Sequence, residues 1–370
     1  MEKILSVCIA SYNKAEITTN LVTSLLTCKN PELEVVVVDN LSSDDTIVQL
    51  DRINDERLRV ICNKINIGGA PNIAAALFAG NGRFCFYTND RDIVYPEKIN
   101  SFIAFLKDNS EIGGGHCVRN IIPGIGQFIE HRGVDGILEM SFRDEHPTGY
   151  FFRRSLLDTI PSERVKCYVS PLNYATFFWE NFLCEIMCKG YTVVQYNDVI
   201  WRSTGNQTHS KYVSGFVPMD DEKDRWFYPD HCLRRVIGNT EDVFRIMQEN
   251  GIYLDAEQRY KLYSHLIVPE YALGVYRNKV IHETPSLSYH YKVTYRKIKK
   301  EEMTSNKRIM TDGYIDYIRE REGGYKKLEK YVLSSIRHVD EKNRMSLVRY
   351  LSQLKRSLSF IAMGQKDNNN

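Results

Sequence analysis

Four consecutive valines set the frame for this chain. The run Glu34-Val35-Val36-Val37-Val38-Asp39 puts apolar, β-branched side chains at both odd and even positions, so neither face of a strand built from it can meet water. A strand buried on both faces belongs inside a sheet that carries helices on each side. Such sheets are mostly parallel and are fed by βαβ crossovers. The neighbouring sequence has that rhythm. Residues 4–10 form a short apolar run that ends at Ser11-Tyr12-Asn13, followed by a helical pattern through Leu21, Leu25 and Leu26. Ser42-Ser43-Asp44-Asp45 supplies capping side chains and early acids for a helix through Ile47, Val48 and Leu50. Residues 58–62 read as a third strand, Gly68-Gly69 opens an alanine-rich helix ending near Gly80–Gly82, and residues 83–87 read as a fourth strand.

In open α/β sheets ligands bind beyond the carboxyl ends of the strands. Polar residues gather at those ends here: Ser11-Tyr12-Asn13, Asp39-Asn40, Asn63 to Asn66, and Asn89-Asp90-Arg91-Asp92. The last segment follows an apolar strand and precedes Pro96-Glu97-Lys98-Ile99. Two carboxylates at i and i+2 on an extended turn can face one way and share Mg²⁺ or Mn²⁺. Such an ion would neutralise a diphosphate leaving group. The alternative is a solvated turn.

These segments together resemble the family 2 glycosyltransferases, which have the GT-A fold. The likeness runs through residues 7–13, 36–46, 66–72 and 82–92, and ends at Pro96-Glu97-Lys98. It implies a Rossmann-like, mostly parallel central sheet flanked by helices, and transfer of a sugar from a nucleotide-sugar donor to a hydroxyl with inversion. It implies that Ala10, Ser11 and Tyr12 approach the base and ribose, that Asp39 bonds the uracil or ribose, and that Asn66 and Asn72 belong to the nucleotide site. Asp90 and Asp92 would flank the metal and the sugar–ribose region, Asp90 serving the nucleotide as well. Asp39 can also be read as an acid capping its own turn, and Asn66 and Asn72 as turn and cap residues. The sequence departs from the family at one point. Aligned through Pro96-Glu97-Lys98, Asn89 stands at the first acid position and Arg91 at the usual metal-binding acid, and Arg91 would bring positive charge near the diphosphate or sugar. UDP is favoured over GDP or dTDP by its frequency in the family.

Further on, Phe178-Trp179-Glu180-Asn181 resembles the family's acidic pair at the start of a helix, where a carboxylate takes the acceptor's proton. Asn181 occupies the usual Asp position, so Glu180 is the candidate base, with Glu185 and Asp144 behind it. A simple helix cap is the competing reading of Glu180. His146-Pro147-Thr148-Gly149-Tyr150 resembles the segment beneath the sugar: Gly149 would allow close approach, and Tyr150 or Trp179 would stack on the ring, unless they are core aromatics. His209, in a loop after the last strand, fits a histidine that completes the metal or diphosphate contacts.

The expected division is a catalytic domain over 1–215, split into a nucleotide-binding half (1–105) and an acceptor half (106–215). A mainly helical region over 216–370 would follow. The formal charge is +2 overall, but about −5 before residue 240 and about +7 after it. The basic, aromatic C-terminal stretch (Tyr289, Tyr291, Lys292, Tyr295, Arg296, Lys297) carries no nucleic-acid motif, so no nucleic-acid partner is expected. It is either a solvated face or a contact to an anionic membrane or a second copy. Nine cysteines without C-x-x-C, set in apolar contexts, fit a reducing compartment. No signal peptide or 18-residue apolar span is evident. The expectation is a cytoplasmic protein, peripheral at most to the inner face of the plasma membrane, acting on a glycan or lipid-linked acceptor.

Overall fold

The computed structural model describes residues 2–140, 146–169, 178–203, 243 and 245–254. They belong to one compact unit, Met1–Asp220 with Glu241–Leu254. The helical region expected over 216–370, and with it the basic stretch, lies almost wholly outside the described residues.

All four N-terminal strands form where the apolar runs place them: β1 (Leu5–Ser11), β2 (Leu33–Asp39), β3 (Leu58–Cys62) and β4 (Phe84–Asn89). The helices between them are α1 (Ala15–Leu26), α2 (Thr46–Leu50) and α3 (Gly69–Ala79). The short β5 (Ile93–Val94) leads into α4 (Pro96–Asp108), which has proline in its first turn, Glu97 beside it and Lys107 in its last turn. The second half contributes β6 (Gly114–Cys117), β7 (Phe128–His131), α5 (Gly133–Met140), β8 (Tyr150–Arg153), α6 (Arg154–Leu157), α7 (Ser162–Tyr168), α8 (Phe178–Cys188), β9 (Val193–Tyr196) and β10 (Trp201–Arg202).

Eight strands make one mixed sheet in the order β3-β2-β1-β4-β8-β6-β9-β7, and β10 pairs with β5 in a separate ribbon. Four of the seven neighbouring pairs are parallel, which fits the mostly parallel sheet expected. The other three are antiparallel: β8 against both β4 and β6, and β7 against β9. The turn chemistry around residues 110–150 gave no sign of where β8 would insert.

The valine run does what its pattern demands, since every residue of β2 is buried. Val35 and Val37 join Leu5, Val7, Ile9, Leu21, Val22, Leu25 and the α4 residues Phe102 and Phe105 in one core on one face of the sheet. On the other face, Ser6, Cys8 and Cys85 lie so close to Gly80, at the end of α3, that a Cβ there would meet Cys85 Sγ at 2.5 Å. Below that face Glu34, 6% exposed, accepts from Ser6 Oγ, from Asn81 N at 2.8 Å, from Asn81 Nδ2 at 3.1 Å and from Arg59 Nε at 3.2 Å. A buried carboxylate is tolerated only when so thoroughly satisfied. This network pins the amino ends of the strands, away from the polar edge.

Candidate active site

The carboxyl ends of the parallel strands finish level. Ser11 stands opposite Asp39, Asp39 opposite Cys62, and Ala10 opposite Asn89. From β1 the chain steps outward through β2 to β3, then returns to the other side of β1 as β4. The order therefore reverses between β1 and β4, and the crevice above that reversal is where ligands sit in open α/β sheets. Lys14, the residue before α1, spans it: its Nζ meets Asp90 Oδ1 beyond β4 at 2.9 Å. Its side chain is 21% exposed against 6% for Asp90. Burial pushes the Asp90 carboxyl above its ordinary range, and the Lys14 ammonium pulls it back.

Around the crevice the strand ends are interlocked by amides and short polar side chains. Asp39 is fully buried and accepts from Ser42 N at 2.8 Å and from Ser42 Oγ. Ser42 Oγ in turn accepts from Asn13 N at 2.8 Å, and Asn13 Oδ1 accepts from Ser43 N at 2.8 Å. The two non-glycine residues of positive φ among the described residues, Asn13 (52°) and Leu41 (63°), both lie in this interlock. Strained backbone of that kind collects at functional edges and persists where its surroundings over-determine it. Asn72 Nδ2 reaches Val38 O at 3.1 Å and Ser11 O at 3.4 Å, tying β1 to β2, while its Oδ1 accepts from Asn63 Nδ2 at 2.8 Å. Exposed Asn66 accepts from Asn40 Nδ2 at 2.8 Å. Of the residues expected around the nucleotide, Asp39, Ser11 and Asn72 are thus occupied in building the edge. Ala10 and Tyr12 are half-buried on it.

Each of the two expected metal acids is already engaged. Asp90 holds Lys14. Asp92, whose side chain is wholly enclosed, accepts on Oδ2 from Thr148 Oγ1 at 2.5 Å and Asn89 Nδ2 at 3.1 Å, with His146 Nε2 at 3.4 Å. Asp92 Oδ1 is buried and takes no hydrogen bond from the described residues. Mg²⁺ and Mn²⁺ want a near-octahedral shell of oxygens and keep several waters. One enclosed carboxylate oxygen does not provide that, and among the described residues no three His, Cys, Asp or Glu side chains are grouped to hold an ion. The donor set does not fit a two-carboxylate metal clamp. Arg91 is half-buried between the two acids, and His209 lies outside the described residues.

From Asp92 the contacts run across the sheet. Thr148 Oγ1 bonds Asp92 and also accepts from Asn89 N at 2.9 Å. Gly149 N donates to Tyr87 O at 3.1 Å, and Tyr150 OH donates to Glu180 Oε1 at 2.7 Å. Three successive residues thereby connect the acids after β4 to Glu180 on α8. Gly149 has φ +110°, and a Cβ there would lie 2.5 Å from Trp201 Nε1 and 2.9 Å from His116 Nε2. The close approach its lack of a side chain permits is made by protein side chains. Tyr150 and Trp179, expected to stack on a sugar, stack on each other at 5.7 Å, and Trp179 stacks on Tyr87 at 4.9 Å. Both are at most 2% exposed, so the core-aromatic reading holds for their ring faces. An edge of Tyr150 lines a cavity of about 160 Å³ shared with His116, Arg119, Asn120 and Gln195.

Glu185, held in reserve as a base, is structural: Arg164 Nη1 reaches it at 2.7 Å and Tyr168 OH at 2.9 Å. Asp144 lies outside the described residues. Asn181 is fully buried, and neither amide atom has a hydrogen-bond partner among the described residues. Sequence reasoning missed Lys14, and it set the segment holding His146 and Thr148 beneath the sugar without foreseeing their contacts to Asp92. Lys14 carried a usable signal, as a lysine standing where a helix cap is normally Ser, Thr, Asp or Asn. The pairing of Thr148 and His146 with Asp92 carried no signal, because that partner lies more than fifty residues away.

Residues 6–160 match the family model described as Glycosyl transferase family 2. The succinoglycan biosynthesis protein ExoO of Rhizobium meliloti is 32% identical over 165 residues, 40% of this chain and 47% of that protein. An Escherichia coli protein, UDP-Glc:alpha-D-GlcNAc-diphosphoundecaprenol beta-1,3-glucosyltransferase WfaP, is 29% identical over 105 residues, 28% of this chain and 42% of its own length. The chain spans under half the length of these curated relatives. Among solved structures, S. aureus TarS (residues 1–349) aligns with 74% of this chain and 81% of its own, at 16% identity and a TM-score of 0.45.

Proposed function

We propose that this chain, whose residues 6–160 belong to glycosyl transferase family 2, transfers a sugar from a nucleotide-sugar donor to a hydroxyl of a glycan or lipid-linked acceptor, with inversion. The observation that carries the proposal is the crevice between β1 and β4. It is a topological switch point in the strand order, bridged by the Lys14–Asp90 ion pair, and it lies inside the family-matched segment. In this reading the nucleoside lies along the ends of β1 to β3 against Ala10 and Tyr12, and the diphosphate lies over Lys14, Asp90 and Arg91. A UDP-linked donor and a lipid-diphosphate acceptor are proposed from the activity that the Escherichia coli relative's name states, and polysaccharide assembly from both relatives.

The chemistry is then displacement at the anomeric carbon. The acceptor oxygen forms the new bond as the bond to the diphosphate breaks, and the hydroxyl proton passes to a carboxylate. Glu180 is the residue proposed for that proton. It opens α8, it is connected to the donor acids through Tyr150 and Thr148, and its neighbour Asn181 cannot accept a proton. No step is assigned to a metal. Among the described residues no helix is long and apolar enough to cross a membrane. A membrane-linked acceptor would therefore be met from the surface, and the basic C-terminal stretch is proposed for that contact.

The test is to incubate the full chain with UDP-, GDP- and dTDP-sugars and lipid-diphosphate acceptors, following nucleotide release and product anomer. Release with inversion, lost in Glu180→Gln, supports the reading. Binding of nucleotide with no release from any donor, with or without acceptor, would favour a second reading, a non-catalytic nucleotide-binding subunit. The Asn181 amide, without a hydrogen-bond partner among the described residues and at the position where the family resemblance sets an acid, is what favours that reading.

A further inference from the structure

Resting on the nucleotide-sugar reading, we propose that Lys14 stands in for the divalent ion, its ammonium supplying the positive charge for the donor diphosphate, so that nucleotide binds without metal. Three observations converge on it. The ion pair to Asp90 lies over the switch-point crevice between β1 and β4, where a diphosphate would lie. Lys14 is the more exposed partner, its side chain 21% exposed against 6% for Asp90, so of the two it is the one a ligand can reach. The acids that would otherwise hold an ion are poorly placed for it: Asp90 Oδ1 is held by Lys14, and Asp92 is enclosed, with Oδ2 taken by Asn89 and Thr148, His146 close by, and a single oxygen left over.

The arrangement has a physical logic. A divalent ion shared by two carboxylates leaves little net charge for a phosphate unless waters and further ligands complete the shell. A lysine held by one carboxylate is fixed in place and still has N–H donors free for phosphate oxygens. Arg91, between the acids, adds a second cation on the same loop. Asp90 then orients a cation and binds no metal.

The experiment is calorimetric titration of the full chain with UDP, GDP and dTDP, once in EDTA and once in Mn²⁺. The proposal expects the wild type to bind the preferred nucleotide in EDTA, with affinity changed by less than about twofold on adding Mn²⁺. Lys14→Met should weaken that binding about ten- to a hundredfold, the loss of one charge-assisted contact, and Lys14→Arg should recover most of it. Because Lys14→Met strands a buried carboxylate, the double variant Lys14→Met/Asp90→Asn is measured beside it, with melting curves for each. It should lose nucleotide affinity while keeping its fold. Wild-type binding that vanishes in EDTA and returns with Mn²⁺ overturns the inference and leaves the transferase reading intact. Undiminished affinity in a folded double variant overturns it as well. Failure of every nucleotide to bind in either buffer overturns the transferase reading, and this inference falls with it.

Discussion

Replacing Tyr150 by Phe separates the structural from the chemical role of Glu180. The substitution deletes one oxygen and leaves the ring stacked on Trp179 (5.7 Å) and against His116 (4.5 Å). What disappears is the 2.7 Å hydrogen bond to Glu180 Oε1, between two side chains each 2% exposed. A hydrogen bond to a charged group contributes about 1.5–3 kcal/mol, and its loss in a buried site is not recovered from water. Tyr150→Phe should therefore lower stability by about 2 kcal/mol, a fall of roughly 4–8 °C in Tm for a unit of this size. Glu180→Gln should be far milder in stability, because the amide oxygen still accepts from Tyr150. Its effect belongs in kcat, which should drop about 10²- to 10⁴-fold if Glu180 takes the acceptor's proton, with KM for the donor little changed. The assay is a double-mutant cycle on Tm and on kcat with Tyr150→Phe, Glu180→Gln and the pair. If Tyr150→Phe melts with the wild type, the hydrogen-bond reasoning is wrong. If Glu180→Gln transfers sugar at near the wild-type rate, Glu180 is not the base.

Other outcomes follow from single contacts. Thr148→Val keeps the shape but removes the hydroxyl that bonds Asp92 and accepts from Asn89 N, so stability should fall by about 2–4 kcal/mol in denaturant melts; no change would mean that water replaces the hydroxyl. Gly149→Ala meets both a φ of +110° and the Trp201 indole at 2.5 Å, and should cost about 3 kcal/mol or more, visible in Tm and in near-UV dichroism of Trp201. Phe102→Ala, in the centre of the α4 core, should lose about 3–5 kcal/mol without altering nucleotide affinity in whatever protein remains folded. Alkaline stability should fall. Burial raises the phenols of Tyr87, Tyr168 and Tyr196, the last to about 12, so the unfolded chain loses protons near pH 10 before the folded one does. Their stabilisation is complete below pH 10 and is lost above it at about 1.4 kcal/mol per pH unit for each tyrosine, which denaturant midpoints from pH 9 to 11 would show.

How far the sequence led depends on how local each signal was. The four parallel strands and their helices were legible because each is written in a few adjacent residues, such as the valine run of β2, the acids before α2 and Pro96 at the start of α4. The antiparallel entry of β8 between β4 and β6 was not, because Tyr150–Arg153 is only a short apolar run and its partners are distant in sequence. The same limit governs the site. Strand order places the polar segments at one edge, so the gathering of Asp39, Asn66, Asn72 and Asp90 was foreseeable, whereas their hydrogen-bond partners were not. Asp39 reads in the sequence either as a ligand residue or as an acid of its own turn, and the structure shows its bonds to Ser42 in that turn. Trp179 and Tyr150 looked available as platforms; α8 packs on the sheet so that they cover each other.

The crevice differs from the expected metal site in a way that follows from one residue type. An acid at position 91 would crowd a third carboxylate against Asp90 and Asp92, and mutual repulsion in a buried setting would demand a divalent ion to hold the loop together. With arginine there, the loop already contains a cation, and Lys14 supplies another from the start of α1. Three carboxylates waiting for an ion become two carboxylates with built-in counter-charges, and the fold closes on them: Asp92 is enclosed by Asn89, Thr148 and His146, and Asp90 by Lys14. On the reading proposed above, Arg91 and the ion pair from Lys14 act together. Reversing it should take both changes together: Arg91→Asp with Lys14→Met should create Mn²⁺ dependence of nucleotide binding, whereas Arg91→Asp alone should leave Asp90 still held by Lys14 and gain little.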